Sequence, residues 1–244
     1  MSTLYEDLKT LRLHYTAENL DAVTETWGGS KYTPLEILTK LTELELVEKS
    51  QRSTNRRLRS AKLGSFRQIA EFEWGWPEAI DKEQIERLLK LDFLEFKRNV
   101  ILAGAQGLGK SMIAKNIGYQ AVLKGKSVLF TTTSRMILDL GSQDGNQALQ
   151  KALKRYESPD LLIMDELGYL SFDCKAADFI FEIVNRRYEE GSIIMTTNLA
   201  FKDWGTIFPG AACLTALVDR LTHNAELVKV LGKSYRMKET LGKK

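Results

Sequence analysis

Cysteine is nearly absent from the sequence. Cys174 and Cys213 stand far apart in the chain. They form no metal-ligand spacing and exclude a disulfide framework, so they read as ordinary thiols of a reducing compartment. Histidine is as scarce, and His14 and His223 have no sequence partners that would make either one metal-binding or catalytic. There are four prolines, no low-complexity tract and no internal repeat. No apolar run reaches the roughly 18 residues of a membrane span, and the opening MSTLYEDLKT lacks the apolar centre of a signal peptide. The expectation is a cytoplasmic protein with no membrane partner. Neither sign of charge dominates, with 35 Lys and Arg against 32 Asp and Glu, so any electrostatic role must lie in distribution rather than in the total. The 244 residues, 43% hydrophobic and 27% charged, suffice for one medium domain with a small companion.

What the sequence does have is concentrated in residues 100–111, VILAGAQGLGKS. An apolar run ends in a turn holding Gly104, Gly107 and Gly109, followed by Lys110 and Ser111. This is the G-x-x-x-x-G-K-[ST] spacing of a phosphate-binding loop. Its backbone N–H groups curl around an anion, its lysine reaches the outer phosphates, and its hydroxyl can ligate Mg²⁺. The stretch SMIAKNIGYQAVLKG has helical spacing and points a positive helix end at the same phosphates. A glycine loop matching by chance would lack this strand–turn–helix context.

The chain around the loop alternates. Strands are expected at 127–132, 161–164, 192–197 and 226–231, and helices at 135–140, 147–156, 176–190 and 214–221. That order implies an α/β fold with a mostly parallel sheet, helices on both faces and ligands at the carboxyl ends of the strands. LLIMDE, residues 161–166, brings Asp165 beside a metal and leaves Glu166 to deprotonate a water. The alternative is a strand that merely ends in surface acids. Asn198 ends the strand MTTN, either to fix that water or as a turn residue. Trp74 and Trp76, in FEWGW, read as packing residues, and Arg186 and Arg187 as a charged helix end.

Residues 1–65 read as helical. Thr33, Pro34 and Glu36 mark a helix start, and Leu35, Leu38, Leu41, Leu44 and Leu46 supply its apolar stripe. Gly28 and Gly29 stop the helix before it, and Asp81 with Gln84 caps a later one. Within 49–67 the chain turns basic without an acid. Arg52, Arg56, Arg57, Arg59 and Lys62 offer either a solvated face or a surface that tracks the phosphates of double-stranded DNA. Lys151, Lys154 and Arg155 are a second candidate contact. Gly64 and Ser65 mark a junction, giving a helical domain over 1–65 and a nucleotide-binding core over 66–244.

GAQGLGKS, LLIMDE, IIMTTN and LVDRL fall in the order of an AAA+ ATPase core. With MDELGYL, DRLTH and SYRMK, the chain resembles the IstB branch of the IstB and DnaC group. The resemblance implies a Walker A loop of Gly104, Ala105, Gln106, Gly107, Leu108, Gly109, Lys110 and Ser111 with Met112 behind it. It implies Asp165 and Ser111 at Mg²⁺, Glu166 as base, Asn198 as sensor and Arg220 as a finger reaching a neighbouring subunit's ATP. The sequence ends too soon after Arg220 for a helical lid, which makes contacts between subunits more important for completing the pocket. The implied function is that of an ATP-dependent helper of insertion-sequence transposition. It would assemble as a homo-oligomer, ring or helical, on duplex DNA and would recruit or activate a transposase. A DnaC-like helicase loader is the alternative.

Overall fold

In a computed structural model of the chain, residues 2–28, 32–169, 173–235 and 237 are described. Gly29, Leu170, and Arg236 and Lys238 of SYRMK therefore lie outside the described residues. The chain divides into two compact units, Met1–Arg56 and Arg57–Lys244.

The first unit is built from α1 (Ser2–Thr10), α2 (His14–Glu18), α3 (Leu20–Gly28) and most of α4 (Pro34–Ala61). Because α4 runs unbroken to Ala61, the division falls inside a helix, ahead of the Gly64–Ser65 junction. Its start is reciprocally capped. Glu36 N donates to Thr33 Oγ1 at 3.3 Å, and Thr33 N donates to Glu36 Oε2 at 2.7 Å, which satisfies two backbone donors that the helix leaves open. The bonds that its carboxylate accepts from Thr33 N and Thr33 Oγ1 hold the Glu36 carboxyl below its ordinary range. The expected leucine stripe is not a buried one. Leu35, Leu38 and Leu46 are 73%, 61% and 61% exposed, whereas Leu41 and Leu44 are half-buried and Glu45 is buried. The helix turns a carboxylate inward, and that is tolerated because it is fully partnered. Glu45 accepts from Thr16 N at 2.9 Å, from Thr16 Oγ1 at 3.2 Å and from Arg52 at 3.2 Å.

The second unit continues with α5 (Lys82–Lys90), α6 (Asp92–Glu95), β1 (Asn99–Gly104), α7 (Lys110–Leu123), β2 (Val128–Thr132), α8 (Thr133–Gly141) and α9 (Asn146–Glu157). It closes with β3 (Leu161–Leu167), α10 (Cys174–Arg187), β4 (Ser192–Thr197), α11 (Leu214–Thr222) and β5 (Ala225–Val230). Asp81 caps α5 by accepting from Gln84 N at 2.9 Å. Leu91, at φ 75°, separates α5 from α6, where the apolar spacing of IERLLKLDFLEF reads as one helix. The five strands lie in the order β2–β3–β4–β1–β5, and every pair is parallel.

Alternate strand residues face opposite layers. Val100, Leu102, Ile163 and Ile194 pack with Ile113 and Ile117 of α7 on one face. Ile101, Leu162, Met164 and Met195 pack with Ile180 and Ile183 of α10 and Leu217 of α11 on the other. Each such fully buried side chain contributes about 1.5–3 kcal/mol, so both faces of β1 are fixed. That rigidity carries through to the loop leaving its carboxyl end.

Arg187 corrects a sequence expectation. It is 1% exposed, and instead of serving a charged helix end it donates to five backbone carbonyls. Nη1 reaches Tyr156 at 3.0 Å, Glu157 at 2.6 Å and Pro159 at 2.8 Å, and Nη2 reaches Asp160 at 3.3 Å and Ser192 at 2.8 Å. Burial pulls its pKa down to about 10. Arg186 does hold a helix-end ion pair, with Glu182 at 2.7 Å and Glu157 at 3.2 Å.

Candidate functional site

The loop between β1 and α7 leaves the sheet between β4 and β5, with helices packed on both faces. Lys110 opens α7 and is 5% exposed. Its Nζ donates to the carbonyls of Gly104 and Ala105, at 2.7 Å each, so a buried ammonium is held at the mouth of the loop by neutral acceptors. An incoming anion is a stronger acceptor than either carbonyl, and the amino end of α7 adds its dipole to the attraction. Leu108 points into the core at 2% exposure. Gly107, Gly109, Ser111 and Met112 line a cavity of about 320 Å³.

The acids come from the end of β3. Ser111 Oγ donates to Asp165 Oδ1 at 2.8 Å, joining the loop to the acidic strand. A hydroxyl and a carboxylate oxygen this close are a suitable hard donor pair for Mg²⁺, which takes few protein ligands and completes its shell with phosphate and water. No group of three or more His, Cys, Asp or Glu suited to a metal occurs among the described residues.

The strand runs further than its apolar residues suggest. It shifts register against β4 between Met164 and Leu167, and within this bulge Glu166 takes φ 65°. A bulge re-aims a side chain, and here Glu166 lines the cavity. The sequence reading missed what holds the bend. Thr196, buried at 2%, accepts from Glu166 N at 3.0 Å and donates to Asp165 Oδ1 in a short bond. One hydroxyl therefore restrains both acids. The available signal was its position two residues before Asn198, on the same strand face. Thr133 Oγ1 adds a bond to the Asp165 carbonyl at 3.1 Å.

Asn198 follows β4 at the same edge. Its Oδ1 is buried and has no hydrogen-bond partner among the described residues. It rests against the turn after β3, where a Cβ on Gly168, at φ 107°, would lie 2.4 Å from it. Only glycine suits that backbone and that space.

A family model described as IstB-like ATP binding protein matches residues 6–242. The chain belongs to the IstB-like ATP binding protein family. It is 34% identical to the insertion sequence IS5376 ATP-binding protein of Geobacillus stearothermophilus, over 97% of this chain and 94% of that one. It is 33% identical to the insertion sequence IS21 ATP-binding protein of Pseudomonas aeruginosa, over 95% of this chain and 88% of that one. A crystal structure of DnaI aligns at TM-score 0.56 and 15% identity, covering 70% of this chain and 90% of that chain, a likeness of fold alone. The IstB-like family and the AAA+ fold are those that the sequence motifs imply.

Other sequence candidates lie elsewhere in this IstB-like chain. Arg220, near the end of α11, sits 4.9 Å from the centroid of the Phe181 ring. It shares a cavity of about 290 Å³ with Glu95, Lys97 and Asn99, at the strands' amino ends. The fold therefore keeps Arg220 away from its own chain's phosphate loop. Among the basic residues, Arg52 pairs with Glu45 at 3.2 Å and with Glu48 at 3.6 Å. Arg56, Arg59 and Lys62 are exposed and Arg57 is half-buried. Arg155 is held by Asp139 at 3.3 Å. Trp74 packs against the core as expected, but Trp76 lines the cavity beside the loop instead. No described helix is long and apolar enough to cross a membrane.

Proposed function

We propose that this IstB-like chain binds ATP with Mg²⁺, hydrolyses it to ADP and phosphate, and uses the cycle to assemble on and remodel duplex DNA for a transposase of its insertion sequence. The observation carrying this reading is the 2.8 Å bond between Ser111 and Asp165 beside a glutamate that lines the same cavity. A protein that only bound nucleotide would need no positioned base. The names of the IS5376 and IS21 relatives supply the insertion-sequence context.

In this reading the backbone from Gly104 to Gly109 receives the phosphates. Lys110 exchanges its two carbonyl acceptors for phosphate oxygens, and Ser111 and Asp165 hold Mg²⁺, which supplies charge neutralisation when bound. Glu166 accepts the proton of the attacking water. Asn198 offers its amide to orient that water. Arg220, remote from its own loop, stabilises the transition state in a neighbouring copy. Arg52, Arg56, Arg57, Arg59 and Lys62 meet DNA phosphates, and the residues before the core act as the DNA-gripping part. The helicase-loader alternative draws only on likeness of fold.

Phosphate release by purified protein tests the chemistry. Lys110→Ala abolishes nucleotide binding. Glu166→Gln keeps binding and slows turnover by about 10²-fold or more, the scale of losing a general base. Wild-type turnover in Glu166→Gln would remove Glu166 from this role.

A further inference from the structure

The cavity has a second side that the phosphate chemistry does not use. Beside the phosphate loop it is also lined by the aromatic residues Phe72, Trp76 and Tyr235. We infer that the segment following β5, residues 233–235, forms the base-facing wall of the nucleotide pocket, with Tyr235 positioning the base. This rests on the nucleotide reading above and adds to it a part of the chain that the motifs leave without a task.

The segment is fastened to the pocket at every step. Leu231 N donates to Ala79 O at 2.9 Å and Ala79 N donates back to Leu231 O at 3.3 Å, turning the chain along residues 72–79. Trp76 Nε1 then donates to Lys233 O at 2.9 Å. Tyr235 N donates to Gly107 O at 2.9 Å, and the Tyr235 hydroxyl donates to Glu73 Oε1. The Tyr235 and Trp76 rings meet edge to face, with centroids 5.9 Å apart and planes at 87°. Ser234 is pressed so close to the loop that a Cβ on Gly107, at φ 75°, would lie 2.1 Å from its Oγ.

Two consequences follow. The backbone bond to Gly107 ties the segment to the turn that holds phosphates, so segment and loop keep a fixed spacing whatever side chain stands at 235. The Tyr235 ring instead meets Trp76, and the rings of Tyr235, Trp76 and Phe72 give the cavity apolar surface that suits a flat heterocycle. Bases stack on aromatic faces with useful affinity and little regard to sequence. The segment after β5 thus supplies one wall of the pocket itself.

The test uses the full-length protein, a fluorescent ADP analogue as base-bearing ligand, and magnesium tripolyphosphate as a base-free competitor. Tyr235→Leu keeps apolar bulk but removes the aromatic face. The expected result is a rise of about 10-fold or more in Kd for the ADP analogue, with tripolyphosphate affinity within about 2-fold of wild type. Tyr235→Phe keeps the ring, loses the bond to Glu73 and recovers most of the nucleotide affinity. Thermal melts of both variants establish that they fold, and if Tyr235→Leu does not, Trp76→Leu is read in the same way. Wild-type affinity in a folded leucine variant overturns the inference. So does an equal loss for both ligands, which would mean that the segment only shapes the loop. A wild-type protein that binds tripolyphosphate but not the ADP analogue also refutes the base wall, whereas failure to bind either ligand refutes the nucleotide reading itself.

Discussion

Replacing Thr196 by valine removes one hydroxyl and almost nothing else, because valine matches its shape. Two bonds go with it. The bond to the Asp165 carboxylate is of the charged kind, at about 1.5–3 kcal/mol, and the Glu166 N–H is left unpaired beside a buried methyl, at about 1–3 kcal/mol. The two share one hydroxyl and are not independent, so the expected loss of stability is roughly 2–4 kcal/mol. In a unit of this size that lowers Tm by about 5–15 °C. Catalysis should suffer separately. Asp165 keeps Ser111 but loses its second restraint, and the bend that aims Glu166 loses its only side-chain bond among the described residues. The expectation is a fall in kcat of roughly 10-fold or more, a higher half-saturating Mg²⁺ concentration, and unchanged affinity for a nucleotide analogue in EDTA. Thr196→Ser, which keeps the hydroxyl, restores most of both. The assay is phosphate release against Mg²⁺ at a temperature well below the Tm of each variant. If the valine variant turns over at the wild-type rate with the wild-type Mg²⁺ dependence, Thr196 packs the strand end and positions nothing.

Arg220→Ala should hydrolyse ATP slowly alone, by a factor reaching about 10³, and regain activity when mixed with Lys110→Ala, because mixed interfaces pair an intact finger with an intact loop. Specific activity independent of protein concentration, with no rescue on mixing, would contradict a shared site. Replacing Arg56 and Arg59 together by alanine should weaken duplex binding for all sequences alike and flatten the salt slope by about 2. DNA-free hydrolysis should stay at the wild-type rate. Anisotropy titrations at several salt concentrations decide this, and identical slopes would turn attention from α4 to Lys151 and Lys154 on α9.

Much of the site is legible in the sequence because its parts are local. A phosphate loop is a run of neighbours, and so are the cap of Thr33 with Glu36 and that of Asp81 with Gln84. The strand ends carrying Asp165 and Asn198 follow from apolar runs that stop. What escapes is set by partners distant in sequence. Glu166 looks like the first residue after a strand, yet pairing with β4 continues to Leu167 around a bulge, and no local pattern encodes an unequal register. Thr196 is an ordinary β-branched strand residue until β3 lies beside it. Arg187 beside Arg186 reads as surface charge, and only the fold gathers five carbonyls around it. The leucines of α4 satisfy a helical stripe, but Glu45 on the buried side has Thr16 as its partner and displaces them. Trp76 and Tyr235 are recognisable as aromatic, though not as neighbours, since the chain between them builds the entire sheet.

The backbone of Glu166 has a consequence for how the protein can change. A side-chain-bearing residue at φ 65° is held at a cost of order 1 kcal/mol or more, and glycine would release it. Asparagine, too, tolerates this region better than glutamate. Glycine and asparagine therefore relax the bulge by deleting the carboxylate, and aspartate, which keeps one, draws it back by a methylene. With Glu166 as the proposed base, selection for thermal robustness alone would drift toward an inert chain that still carries the same fold. On that reading, position 166 is where a hydrolysing chain and a well-folded inactive one should first diverge.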